Sequence, residues 1–257
     1  MQNFTDAIPA HVLNNIKDLN LNIRSKNCHE AINDLLQRTV LLGGKRIRPM
    51  LTYLFANLFN VEASKIDSCA SGIEMVHAAS LAHDDVIDNA TTRRGNPSIN
   101  IVESNKRAVL AGDYLLSDVI ALVAQTGSLK LVEEIAAVIQ DLSAGEWYQL
   151  DAAQNREYSR EVIEEIAVKK TASVMGFCCF SSAYLAELDE EIIDCCRQIG
   201  YNIGVAFQLI DDTLDFSGDS QKDHQLDLQN GIVNAVVYEW LTLNPNKLSQ
   251  FEKGEAL

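Results

Sequence analysis

Proline is almost missing from this chain. Its four prolines are Pro9, Pro49, Pro97 and Pro245, so none interrupts residues 98–244, and glycine is sparse there too. The same stretch lacks sustained apolar–polar alternation, which excludes a core built from half-buried strands. No run is apolar enough to span a bilayer, so no transmembrane segment is expected. The opening MQNFTDAIPA lacks the basic-then-apolar order of a secretory signal. Cations are scarce as well: 21 Lys and Arg stand against 36 Asp and Glu, a net charge of −15. So acidic a body repels a phosphate backbone and an anionic lipid surface, so no nucleic acid is expected as a partner. The six cysteines include no C-x-x-C pair, and Cys178-Cys179 and Cys195-Cys196 are neighbours among apolar residues. That spacing suits neither zinc nor a disulfide framework, and points to buried, reduced thiols and a cytoplasmic location.

What remains is helix. Runs such as 129–142 and 160–180 mix Ala, Leu, Glu, Lys and Ile with helical apolar spacing. The expected fold is all-α, with about ten helices in a single domain over 1–257. Breaks are expected near Gly43-Gly44, Asn60, Arg94 to Pro97, Gly127, 151–155 and 217–223.

Two five-residue patterns stand out. Asp84-Asp85-Val86-Ile87-Asp88 and Asp211-Asp212-Thr213-Leu214-Asp215 both read D-D-x-x-D. The chain has 19 Asp, a frequency at which chance yields only about 0.1 such match. Upstream of the first, Met75, Ala79, Ala82 and Val86 form one apolar helical face, and His77, Leu81, Asp84 and Asp88 another. Upstream of the second, Ile199, Ile203, Phe207, Ile210 and Leu214 form an apolar stripe beside Gly204, Gln208, Asp211 and Asp215. The first and last Asp of each pattern therefore lie one turn apart on an amphipathic helix. The apolar flanks place them near the core. Crowded carboxylates need protons or cations. Oxygen donors facing each other from two such helices suit Mg²⁺, which keeps waters and is completed by substrate phosphates.

The few cations cluster. Gly43-Gly44-Lys45-Arg46-Ile47-Arg48-Pro49 packs three after a glycine pair, Arg93-Arg94 follows the first acidic pattern, and Lys169-Lys170-Thr171 opens another segment. Guanidinium forks and mobile ammonium groups are phosphate ligands. Together they suggest a metal-free anion site beside a metal-bridged one, hence two diphosphates.

These residues resemble the trans-type polyprenyl (isoprenyl) diphosphate synthases. The matching segments are GGKRIRP at 43–49, EMVHAASLAHDDVIDNATTRRG at 74–95, AGDYLLS at 111–117, KKTAS at 169–173 and GVAFQLIDDTLDF at 204–216. The resemblance implies a helical fold around a central cavity, a homodimer, and Mg²⁺-dependent elongation with three ions per active site. In that reaction isopentenyl diphosphate attacks an allylic prenyl diphosphate. It implies Asp84, Asp88 and Asp211 as principal Mg²⁺ ligands, with Asp85, Asp212 and Asp215 supporting. Arg93, Lys170 and Lys222 match allylic diphosphate positions; Lys45, Arg48, His77 and Arg94 match the isopentenyl diphosphate site. Thr171 and Gln208 match positions near the departing diphosphate and the developing cation, and Phe207 is placed against either the isoprenoid tail or the core. Release of so apolar a product implies a transient membrane contact.

By the same resemblance, the residues four and five before the first Asp floor the pocket of the growing chain. Here they are Ala79 and Ser80, both small, so a product of C30 or longer, of the quinone side-chain class, is expected. The match departs after Asp215. Lys222 is kept without its flanking glycines, Ile232 stands where the family has a second Lys, and the chain ends several helices before the family's usual C-terminus. Two readings follow: a short but active synthase, or a partner-dependent or non-catalytic subunit that binds Mg²⁺-diphosphate without turnover.

Overall fold

A computed structural model describes residues 7–23, 30–214 and 231–255. Asp215, Lys222 and the 217–223 break lie outside them. Within them the chain is helical apart from one short hairpin. The twelve α-helices are α1 (Ala10–Lys17), α2 (Glu30–Arg38), α3 (Ile47–Leu58), α4 (Ala63–Ile87), α5 (Ile99–Val102), α6 (Asn105–Ala124), α7 (Leu129–Asn155), α8 (Arg160–Ala167), α9 (Ser173–Leu185), α10 (Glu190–Leu214), α11 (Ala235–Leu243) and α12 (Pro245–Glu252). A π-helical turn, Val168–Ala172, separates α8 from α9.

The prolines punctuate this order. Pro9 precedes α1, Pro49 sits in the first turn of α3, Pro97 ends the hairpin and Pro245 opens α12. Each position has little use for the N–H that proline lacks. Ser104, Ser159 and Asn234 cap α6, α8 and α11, each accepting a backbone N–H from three residues on, which satisfies an otherwise orphaned donor. The break expected at 151–155 falls later: α7 runs to Asn155, and the turn is made by Arg156 in the left-handed region.

Close contacts group the chain into two compact units, Met1–Ala137 with Phe177–Arg197, and Val138–Gly176 with Gln198–Leu257. In the first, α4 is buried along most of its length. Ile66, Ile73, Met75 and Ala82 are closed off from solvent, as are Leu115 and Val119 of α6. A second cluster joins Cys179, Ala183 and Cys196 to Leu51, Phe55 and Phe59. The hairpin pairs β1 (Thr92–Arg93) with β2 (Asn96–Pro97) antiparallel, Thr92 opposite Pro97. Its turn, Arg94-Gly95, has both residues at positive φ, the geometry of a two-residue hairpin loop. It is too short to show as alternation in the sequence.

The second unit is organised around Val233, Val237, Leu241 and Phe251, against which Tyr158, Ile163, Tyr238 and Leu248 pack. The Arg156 guanidinium lies 4.9 Å from the Phe251 ring centre. α10 approaches the π-helical turn closely: a Cβ on Gly204 would stand 2.4 Å from Cα of Ala172, so no larger residue fits.

Two expectations are corrected. Of the described cysteines, Cys69, Cys178, Cys179 and Cys196 are buried but Cys195 is exposed, because α10 turns it 100° away from its buried neighbour. Burial pushes the Cys69 and Cys178 thiols up to about 12. The stripe of Ile199, Ile203, Ile210 and Leu214 is also exposed, Ile210 at 60% and Leu214 at 56%. Helical spacing identifies a face that favours burial, not the element that would cover it.

Candidate functional site

In the first unit the site residues sit on α4, on the loop before α3 and on the hairpin. Asp84 and Asp88 lie at the C-terminal end of α4, Asp84 half-buried and Asp88 exposed. There the helix dipole adds negative potential that favours a cation. Asp85 turns the other way and has no solvent exposure. Arg93 donates to its Oδ1 from Nε (2.8 Å) and Nη2 (2.5 Å). The Ile99 N–H, at the start of α5, donates to Oδ2 at 3.4 Å. The middle carboxylate thus holds the hairpin and the next helix in place, and it orients Arg93.

Around His77 the structure gathers Arg46, Arg48, Arg93 and Arg94. Burial first, then these four guanidinium groups, hold the His77 imidazole well below its usual range, so it is neutral. Burial likewise lowers the Arg48 and Arg94 guanidinium pKa values. Lys45 is exposed, and Arg94 Nη1 donates to the Leu42 carbonyl at 3.0 Å. Four cations beside a neutral imidazole donor form a place for a multiply charged anion. Ala79 is fully buried, whereas Ser80 is half-buried, its hydroxyl donating to the His77 carbonyl at 2.9 Å.

In the second unit a relay runs through the second motif. Thr171 Oγ1 donates to Gln208 Oε1 at 2.7 Å, and Gln208 Nε2 donates to Asp212 Oδ1 at 2.8 Å. Asp212 Oδ2 accepts the Ala235 N–H, at the start of α11, at 3.0 Å. Asp212 is 6% exposed, while Asp211 is half-buried. Phe207 is half-buried. The π-helical turn presents Lys170 to Glu146 Oε2 and to Gln149 Oε1 (3.1 Å), and Lys169 to Asp141 Oδ1 (3.1 Å). Such turns recur at functional sites because the extra residue re-aims the side chains around it.

The donor set fits a hard cation. Asp84 and Asp88 offer carboxylate oxygens one turn apart. Among the described residues no three His, Cys, Asp or Glu side chains form a ready metal cage. Two carboxylates with waters and phosphate oxygens are what Mg²⁺ accepts. Sequence reasoning counted Arg46 among the cations of 43–49 without assigning it a site, and passed over Glu74, Glu146 and Gln149. Glu74 opens the longest matching segment, so a signal existed. Glu146 and Gln149 meet Lys170 only across helices and left none.

The family model described as polyprenyl synthetase matches residues 29–254. An all trans-polyprenyl-diphosphate synthase of Mus musculus is 38% identical over 204 residues, covering 76% of this chain and 50% of that protein. The decaprenyl-diphosphate synthase of Dictyostelium discoideum is 35% identical over 218 residues, covering 83% of this chain and 47% of that protein. The chain spans about half the length of the curated relatives it matches. Among solved structures, a decaprenyl diphosphate synthase from Rhodobacter capsulatus superposes with a TM-score of 0.86 at 28% identity, over 96% of this chain and 79% of the other. A polyprenyl synthase from Caulobacter crescentus, complexed with calcium and isoprenyl diphosphate, gives 0.80 at 28%, over 97% and 76%. With a family match over most of its length and the family's two acidic motifs intact, this chain belongs to the polyprenyl synthetase family.

Proposed function

We propose that the chain is a trans-prenyltransferase that condenses isopentenyl diphosphate with an allylic prenyl diphosphate to give an all-trans product of C30 or longer. The observation that carries this reading is the coexistence of two complete D-D-x-x-D patterns with the Arg46, Arg48, Arg93 and Arg94 cluster in an otherwise acidic chain. The hexaprenyl, octaprenyl, solanesyl and decaprenyl synthases among its relatives support the long-chain assignment, as do the small residues Ala79 and Ser80.

In this reading residues 1–257 form one synthase domain, and Asp84, Asp88 and Asp211 hold Mg²⁺, three ions per site, with Asp215 supporting. The charge of the departing diphosphate is neutralised by Mg²⁺ when it is bound. Arg93, Lys170 and Lys222 bind the allylic diphosphate. Lys45, Arg48 and Arg94 bind isopentenyl diphosphate, and neutral His77 donates a hydrogen bond to it. Thr171 and Gln208 lie along the departing diphosphate, and the Gln208 carbonyl faces the developing cation. Asp85 and Asp212 act from behind, fixing Arg93 and Gln208. The protein works as a cytoplasmic homodimer; no described helix is long and apolar enough to cross a membrane.

A second reading, a subunit that needs a partner for turnover, is favoured by the exposed Ile199, Ile203, Ile210 and Leu214 stripe. One assay separates the two. Labelled isopentenyl diphosphate and farnesyl diphosphate are incubated with the purified chain and Mg²⁺, with and without EDTA, and products are separated by chain length. A C30 or longer product that EDTA abolishes is expected. A sole C15 or C20 product overturns the long-chain assignment. Diphosphate binding without product supports the subunit.

A further inference from the structure

α4 carries a buried carboxylate that the proposed reaction does not use. Glu74 is 3% exposed and lies one turn before His77 on the same helix. Its Oε1 accepts Nη1 of Arg46 at 2.6 Å. Its Oε2 is buried with no hydrogen-bond partner, and so is Nε of Arg48. Leaving such an atom unpaired forfeits its hydration, so a purely structural ion pair would be expected to satisfy it.

Arg46 does more than neutralise Glu74. Its other terminal nitrogen, Nη2, donates to the Leu41 carbonyl at 2.5 Å. Its backbone is left-handed, φ 51°, where it caps α3. One guanidinium therefore closes the loop from Leu41 to Arg46 and fastens it to α4. Arg94 makes the second tie, onto Leu42, and lies across Gly44, whose φ of 91° disfavours a side chain and where a Cβ would stand 3.0 Å from that guanidinium. This loop carries Lys45 and leads directly into Arg48. The field of Glu74 also reaches Arg48 and Arg94, opposing the mutual repulsion of the cations.

We infer that Glu74 and Arg46 form a positioning clamp for the isopentenyl diphosphate site: Arg46 holds the 41–46 loop, and Glu74 lets the guanidinium groups gather before the anion arrives. The inference rests on the anion-site reading above, and its test separates the two. The clamp acts through Lys45, Arg48 and Arg94, so it affects one substrate site and not the metal-bound one.

The full chain is titrated calorimetrically with inorganic pyrophosphate in EDTA, and melting midpoints are recorded in parallel. Glu74→Gln keeps shape and removes charge. It is expected to weaken binding by about tenfold, the scale of one charge-assisted contact, with Glu74→Asp recovering part of it. In turnover, KM for isopentenyl diphosphate rises while kcat and the allylic KM hold. Arg46→Lys keeps the charge but not both ties, and carries the same readouts if Glu74→Gln does not fold. Binding by Glu74→Gln equal to that of the unaltered chain, with only a lower melting midpoint, overturns the clamp and leaves the anion site standing. No binding by the unaltered chain overturns the anion site and the clamp with it.

Discussion

At residues 84–88 the inward carboxylate, Asp85, is held by a guanidinium; in the second motif the inward carboxylate, Asp212, is held by the neutral amide of Gln208. Otherwise the two copies match closely. Each inward Asp accepts a backbone N–H from the first residue of a later helix, Ile99 of α5 or Ala235 of α11. In both copies the second Asp organises chain that follows, whereas the outer positions are the ones proposed to meet ligand. The described partners differ. Asp85 is paired with the part-exposed guanidinium of Arg93, and losing either strands a charge. The described contacts of Asp212 include the Gln208 amide and the Ala235 N–H. The second motif also links Asp212 through Gln208 to Thr171, so that copy transmits position where the first fixes it.

The largest effect is expected at the outer carboxylates. Asp84→Ala and Asp211→Ala should each lower the elongation rate by about 10³-fold, the upper scale for losing one group that stabilises transition-state charge, while the melting midpoint stays close to that of the unaltered chain. A near-normal rate in either would break the division of labour. Next come the inward pair, read by urea unfolding. Asp85→Ala is expected to cost about 3 kcal/mol, at the low end for a broken buried pair because Arg93 is part-exposed. Asp212→Ala, which removes at least the hydrogen bonds to Gln208 and the Ala235 N–H, is expected to cost about 1–2 kcal/mol. Equal losses would erase the contrast.

The same inside-and-outside distinction recurs one turn earlier on α4. Ala79→Phe forces a ring into closed core and should cost about 1–3 kcal/mol. Ser80→Phe, on the half-buried side, should leave stability near normal and shorten the product. If product length is unchanged in Ser80→Phe, the floor of the pocket lies elsewhere. The smallest effect is a pH dependence. In the unfolded chain His77 takes up a proton near 6.5, but the folded chain holds it neutral below that. The unfolded state therefore binds more protons, and stability falls as pH drops from 6.5. His77→Gln should flatten this part of a urea-midpoint profile between pH 6.5 and 5.5; an unchanged slope would remove His77 as the cause.

The helices and both motifs were legible because helical period and proline placement are local properties. So, in principle, was the inward turn of the second Asp. Ala78, Ala82 and Asp85 follow helical spacing on the buried face of α4, and Gly204, Gln208 and Asp212 do so on α10. Gln208 shares a helix face with Asp211 and Asp212 alike, and its side-chain hydrogen bond goes to Asp212. Partners across elements were not legible. Nothing local ties Lys170 to Glu146 or Arg46 to Glu74, since those meetings depend on how helices pack. Nor did the isoleucine spacing on α10 tell whether anything covers it.

The π-helical turn at Val168–Ala172 makes chain length itself a functional variable. A π turn holds one residue more than an α turn of the same span. Deleting one residue here would leave a continuous α-helix with its flanks still in phase. Winding the same residues as α-helix without a deletion would instead swing everything before the turn by about 100° relative to everything after it. Thr171 could keep its hydrogen bond to Gln208 only if α8 were re-aimed, and α8 could keep its packing only if Lys169 and Lys170 left Asp141 and Glu146. The surplus residue works as a reading-frame correction written in backbone, setting two halves of one helix to serve different neighbours.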